Sequence, residues 1–171
     1  MSTVVRPTRA RHPLSRRLEL LLRDGTAIEG YVKIGSDQSL ITFLNSRSGW
    51  MNMTKARRAK SNDAEGHMIV QTEHVVMATA PDGKVQVSLT AASVDDRMVE
   101  FIMLGGRTIR GYVPAAPGQR LSDCVAASGK FMGVSLARLY PEEQDVGDVA
   151  IHTGALTLVR DLRNAPVPEP E

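Results

Sequence analysis

The amino-acid sequence predicts an all-β protein in which one small barrel-forming unit occurs twice. Three observations lead there. The segment GTAIEGYV at 25–32 returns as GRTIRGYV at 106–113, identical at five of eight positions and offset by 81. The same offset sets apolar residue against apolar residue as far as Met77 and Leu158. Glycine (14) and proline (9) punctuate short apolar runs, which favours strands and turns over long helices.

The first strand of each unit covers 18–23 and 99–104 and runs into Asp24-Gly25 or Gly105-Gly106, dipeptides that turn a hairpin. The second strand contains Gly30 and Gly111. Glycine inside a strand costs stability unless it permits a bend or a close backbone approach. A bent second strand can serve two sheets of a small barrel. A third strand is predicted at 39–45 and 120–126, and a fourth at 49–54 and 130–136. The final stretches, MIVQTEHVVMAT and VAIHTGALTLV, are each apolar, then polar, then apolar, which reads as strand, tight turn, strand. Along this path Trp50 meets Phe131, Met51 meets Met132, Val70 meets Ile151 and Thr72 meets Thr153. A constant offset over that length indicates a duplicated unit.

A polar segment follows the fourth strand in each copy and is predicted as a loop. Lys55, Arg57, Arg58 and Lys60 make KARRAKSNDAEG (55–66) basic, whereas Glu142, Glu143 and Asp145 make ARLYPEEQDVG (137–147) acidic. Such loops face different partners, each other, or only solvent. The chain then divides into a basic arm (1–16), a first unit (17–79), a linker (80–97), a second unit (98–160) and a Pro-rich tail (161–171). Within the linker, KVQVSLT alternates like a strand, and a short helix near 91–96 is an alternative for its end.

One cysteine, Cys124, excludes a disulfide within the chain and suits a reducing cytosol; a small buried residue is its expected role. No apolar run approaches the roughly 18–20 residues of a membrane-spanning helix. The first residues carry charge without an apolar stretch, unlike a secretory signal. The expectation is a cytoplasmic protein, soluble or peripheral on the cytoplasmic membrane face. Arg6, Arg9, Arg11, Arg16 and Arg17 stand without an acid among them, while residues 18–163 are close to neutral and the tail adds Glu169 and Glu171. An arginine-rich arm can meet phosphate, anionic lipid or an acidic protein surface, or serve as a solvated tail.

The order of features, a strand running into a glycine turn, a glycine in the second strand of GTAIEGYVKIGSD and the closing IVQTEHVVMA, resembles the Sm-like fold, a small five-stranded SH3-like barrel. The resemblance covers about 62 residues of each copy. The chain is also similar to a family of bacterial domains of unknown function in which RLSD, here Arg120–Asp123, precedes an apolar strand. The resemblance implies two tandem barrels. It does not bring the family's RNA site with it. Asp37 lacks the following Asn, and Gly118 replaces the Asp in the second copy. The final turns read Thr72-Glu73 and Thr153-Gly154 where that family has Arg-Gly, and Glu73-His74 replaces the bacterial Lys-His. Stacking aromatics for single-stranded RNA are few. PilZ-like receptors for cyclic dinucleotides are a further comparison. Their paired arginines four apart are missing from the arm, and Thr42 stands where their motif after Asp37 and Ser39 has glycine.

The four histidines, His12, His67, His74 and His152, join no carboxylate or cysteine cluster at metal spacing, and no phosphate loop or nucleophile elbow occurs. The expected function is therefore non-enzymatic and without a cofactor: an interaction or assembly subunit of a larger complex. Its expected partner-binding residues are Arg6, Arg9, Arg11, Arg16, Arg17, Lys55, Arg57, Arg58 and Lys60. Protein partners come first and an anionic membrane surface second. The alternatives are nucleic-acid binding through the arm and residues 55–60, and a PilZ-like nucleotide receptor.

Overall fold

The computed structural model describes residues 13–83, 85 and 95–162. It is all-β. The first half contains β1 (Leu14–Leu22), β2 (Ala27–Ile34), the helix α1 (Leu40–Asn45), β3 (Trp50–Arg58), β4 (Gly66–Gln71) and β5 (Val75–Thr79). The second half repeats the order as β6 (Asp95–Met103), β7 (Thr108–Ala115), α2 (Leu121–Ala127), β8 (Phe131–Tyr140), β9 (Gln144–His152) and β10 (Leu156–Asp161). A single turn of 3-10 helix joins β4 to β5 and β9 to β10. Among the described residues, ten strands belong to one antiparallel sheet in the order β10-β6-β7-β8-β9-β5-β1-β2-β3-β4.

The offset of 81 holds for strand pairing as well as for residue type. Leu18 faces Gly30 and Val99 faces Gly111; Trp50 faces Gln71 and Phe131 faces His152; Leu20 faces Ala78 and Phe101 faces Val159. The Thr72 and Thr153 amides each donate at 2.8 Å to the carbonyl preceding the fourth element, that of Gly49 or Lys130.

Two expectations need correction. Residues 39–45 and 120–126 do not form strands: they supply the caps and bodies of α1 and α2. Their buried positions recur at helical intervals rather than alternately. Leu40, Phe43 and Leu44 are buried in α1, and Leu121, Cys124 and Val125 point inward from α2. Ser39 caps α1 by accepting from the Thr42 amide at 3.1 Å. The predicted polar loops are also partly strand: residues 59–65 connect β3 to β4 as a loop, but the remainder of the first segment and most of the second are strand. Lys55–Arg58 belong to β3, and only 141–143 separate β8 from β9. Lys55, Arg58, Arg138 and Asp145 are exposed on these strands, so their charge reads like that of a loop. The linker strand at 84–90 lies outside the described residues apart from Val85, as does the start of the alternative helix; Asp95 and Asp96 belong to β6.

Gly30 and Gly111 have a definite steric reason. A Cβ at Gly30 would lie 2.9 Å from both Cα and Cβ of Ala56. At Gly111 it would lie 2.5 Å from Val134 Cγ1 and 2.9 Å from the Ser135 carbonyl oxygen. At these points the pairing with the next strand shifts register, and the partner strand bulges through Lys55 (φ 47°) or Leu136 (φ 51°). Gly111→Ala is expected to destabilise the fold by about 1–3 kcal/mol through forced overpacking, measured by urea denaturation. Gly30→Ala should cost less, because its tightest contacts are longer. Equal stability of Gly111→Ala and wild type would show that the bend does not depend on the glycine.

The two halves are joined through a seam in which β5 pairs with β9, Met77 facing Ile151 and Ala78 facing Ala150. The cores interpenetrate there. Phe131 and Ala150 of the second half pack in the cluster of Leu18, Leu20, Phe43, Leu44 and Met51, and Val76 of the first half packs in the cluster of Phe101, Ile109, Val134 and Val149.

Candidate functional site

Three places hold the side chains of functional interest: a pair of ion networks on the sheet, the polar flank of the seam, and the sheet's outer edges.

The ion networks account for the charge reversal between the repeats. Glu19 faces Glu29 across the first hairpin, and Glu100 faces Arg110 across its counterpart. In the first half Glu29 receives Arg57 Nε at 2.5 Å and Arg17 Nη2 at 2.8 Å. In the second half the buried Glu100 takes the central place, receiving Arg110 Nε at 2.7 Å and Arg160 Nη2 at 2.5 Å. The Arg57 and Arg17 guanidiniums hold the Glu29 carboxyl below its usual range. Burial pushes the Glu100 carboxyl up, but Arg110 and Arg160 together outweigh it, so it too lies below its ordinary value. The reversal from Glu29 to Arg110 is thus absorbed locally, by moving the carboxylate one strand over.

This bears directly on the expected partner-binding residues. Arg6, Arg9 and Arg11 lie outside the described residues. Arg16 is half-buried and donates to the Ser36 and Gln38 carbonyls at 3.3 and 3.2 Å, tying β1 to the turn before α1. Arg17 and Arg57 are committed to Glu29. Lys55, Arg58 and Lys60 are exposed. Lys60 lines a groove of about 770 Å³ between the halves, and Glu142 and Asp145 line the same groove. The basic and acidic segments therefore share one concavity.

On the flank of the seam, Asn45 clamps the edge of β8. Its amide nitrogen donates to the Ser128 and Phe131 carbonyls at 3.2 and 3.1 Å, and its oxygen accepts from the Phe131 amide at 2.8 Å. Glu73 pairs with Lys130 at 2.5 Å and lies 3.4 Å from His152 Nε2. His152 is buried, edge-on to the Phe131 ring, and its Nδ1 accepts from the Gly154 amide at 3.0 Å. Burial lowers the His152 pKa and so favours the neutral imidazole, against the opposing pull of the Glu73 carboxylate. Arg23 donates to the Glu73 carbonyl of its own half and reaches across to the Gly154 carbonyl. These contacts hold the halves together. Among the described residues, no three His, Cys, Asp or Glu side chains are grouped to hold a metal ion, and no helix is long and apolar enough to cross a membrane.

The outer edges are β4 and β10. Among the described residues, neither has a strand on its far side. Trp50, at the start of β3, is 63% exposed, and Ile69, on β4, is 58% exposed. Their counterparts under the offset of 81, Phe131 and Ala150, are both completely buried in the seam. On the opposite edge, Leu158 is 48% exposed. Sequence reasoning missed this surface, although the repeat alignment that pairs Trp50 with Phe131 contained the signal. No family model, curated protein or solved structure matches the chain.

Proposed function

We propose that the protein is a non-enzymatic interaction and assembly subunit of a larger complex. Its scaffold is two Sm-like five-stranded units fused across a seam, and it works against the cytoplasmic face of a membrane. The observation that carries this reading is the apolar edge formed by Trp50 and Ile69. A row of large apolar side chains beside an unpaired strand is a surface for a partner, because it otherwise invites uncontrolled strand pairing. The arginine-rich segment supports the peripheral location, since clustered arginines near anionic headgroups gain about 1 kcal/mol each.

A second reading, nucleic-acid binding, draws support from the exposed Lys55, Arg58 and Lys60. It draws less from Arg17 and Arg57, whose charge is already matched by Glu29.

One preparation tests both. Tagged protein is purified from native cells at moderate salt, and co-purifying protein, lipid and nucleic acid are identified. The expected result is a reproducible set of protein partners that is lost from Trp50→Ala/Ile69→Ser protein of unchanged stability. Recovery of nucleic acid alone, released by salt and by Arg58→Ala/Lys60→Ala, would establish the second reading instead.

A further inference from the structure

We infer that the seam between the halves is an acid-released joint, in which a proton taken up at His152 Nδ1 loosens the pairing of β5 with β9.

The joint is built from a cluster that the repeat does not duplicate. Arg23 and Glu73 come from the first half, Lys130 and His152 from the second. The offset of 81 places Leu104, Gly154, Gly49 and Gln71 at the corresponding positions. The scaffold is thus used twice, but the charged and titratable set stands only where the halves meet.

The His152 ring is closely held. It is buried and edge-on to Phe131, whose side chain belongs to the core of the first half. A Cβ on Gly154 would lie 3.0 Å from the ring's Cε1 and 3.1 Å from its Nδ1, so the imidazole rests against the Gly154 backbone. Nδ1 accepts from the Gly154 amide at 3.0 Å, which places the hydrogen of the neutral ring on Nε2. Nε2 is buried without a hydrogen bond among the described residues, with a Glu73 carboxylate oxygen 3.4 Å away. A second proton must therefore go to Nδ1. There it would point at the Gly154 N–H, set donor against donor, and break the bond that caps the 3-10 turn into β10.

Three charged groups face the ring. Glu73, on the 3-10 turn before β5, attracts the proton but is shared with Lys130 at 2.5 Å. Lys130, at the start of β8, and Arg23, in the turn after β1, both oppose it. Protonation thus adds a third cation to a cluster with one carboxylate. Burial, the largest influence, and the two cations together hold the His152 pKa below its ordinary 6.5. The open or unfolded chain then takes up the proton first as pH falls. The joint is at full strength above that ordinary value and weakens as pH drops from there towards the lower native one. Glu73 is itself held below its ordinary 4.5, first by Lys130, and stays ionised in mild acid. Asn45 does not titrate, so its clamp on β8 remains and the halves loosen rather than part.

Amide hydrogen exchange of the full chain between about pH 7.5 and 5 tests this, read as protection factors so that the intrinsic pH dependence of exchange cancels. Acid should reduce protection in β5 and β9 more than in β2 and β7. In His152→Asn the side-chain oxygen still accepts from the amide two residues on, as asparagine does in turns, but cannot titrate, so the acid loss should disappear. Lys130→Gln removes an opposing cation and frees Glu73 for the ring, so the loss should shrink. Glu73→Gln removes the one attraction, so the loss should grow. Both charge variants break the same ion pair, and their opposite responses isolate its effect on His152. Lys130 and Glu73 are 44% and 45% exposed, so these two variants decide the outcome even where His152→Asn is poorly stable. Acid loosening that persists in a folded His152→Asn overturns the inference, as does a change of the same sign in the two charge variants or a wild-type seam equally protected across the range.

Discussion

Phe131→Ala is expected to destabilise the protein by about 3–5 kcal/mol, the usual cost of emptying a large buried aromatic site. Phe131 is completely buried and belongs to the core cluster of the other half, with its backbone clamped by Asn45 and its ring against His152. The cavity would open at the seam, so both halves should respond. Hydrogen exchange should show faster opening of β5 and β9 together, with β3 and β7 less affected. Loss confined to the second half would show that the two cores are not coupled. The mirror substitution, Trp50→Ala, removes an exposed side chain and should leave the stability of the isolated chain nearly unchanged.

Glu100→Gln should cost about 1.5–3 kcal/mol near neutral pH, the range for losing hydrogen bonds to a charged partner. One buried carboxylate holds two guanidiniums there, and both arginines keep access to water, which limits the penalty. The effect has a defined pH dependence. The Glu100 pKa in the folded chain lies below its ordinary value of 4.5. Its stabilisation is therefore fully present above that ordinary value and fades as pH falls through the lower, native one. Urea titrations of wild type and Glu100→Gln should differ most at neutral pH and converge in acid. A constant difference from neutral pH into acid would mean that shape, not charge, accounts for the loss.

Much of the architecture can be read from residue order alone, because hairpin turns and bends leave local marks. Asp24-Gly25 and Gly105-Gly106 sit at the predicted turns, with Gly25, Gly105 and Gly106 all at positive φ. The strand, turn, strand pattern at each end holds to within a few residues. The helices α1 and α2 were harder. Their inward residues fall at intervals of three and four, but over six or seven residues this differs little from the alternation of a short strand. Ser39 ahead of Leu40 was the available signal for a helix start.

The candidate site was less legible, for a different reason. Arg17 and Arg57 look like free cations along the chain, and only strand register reveals that Arg57 lies directly opposite Glu29. Burial at the edge is likewise a property of the assembled sheet. Trp50 and Phe131 are chemically alike and occupy the same place in their repeats, yet one is exposed and the other buried, because each half has neighbours on different sides.

The seam has a further consequence through the tether that spans it. Residues 80–94 connect β5 to β6, so the two halves meet as parts of one chain, at an effective concentration set by the length of the connector. The outer edges have no such advantage and meet a partner only at its free concentration. Covalent linkage alone therefore ranks the two kinds of contact, filling the internal one first and leaving the outer edges for later encounters. The covalent joining of two like units thereby sets an order of events in what would otherwise be a set of equivalent associations.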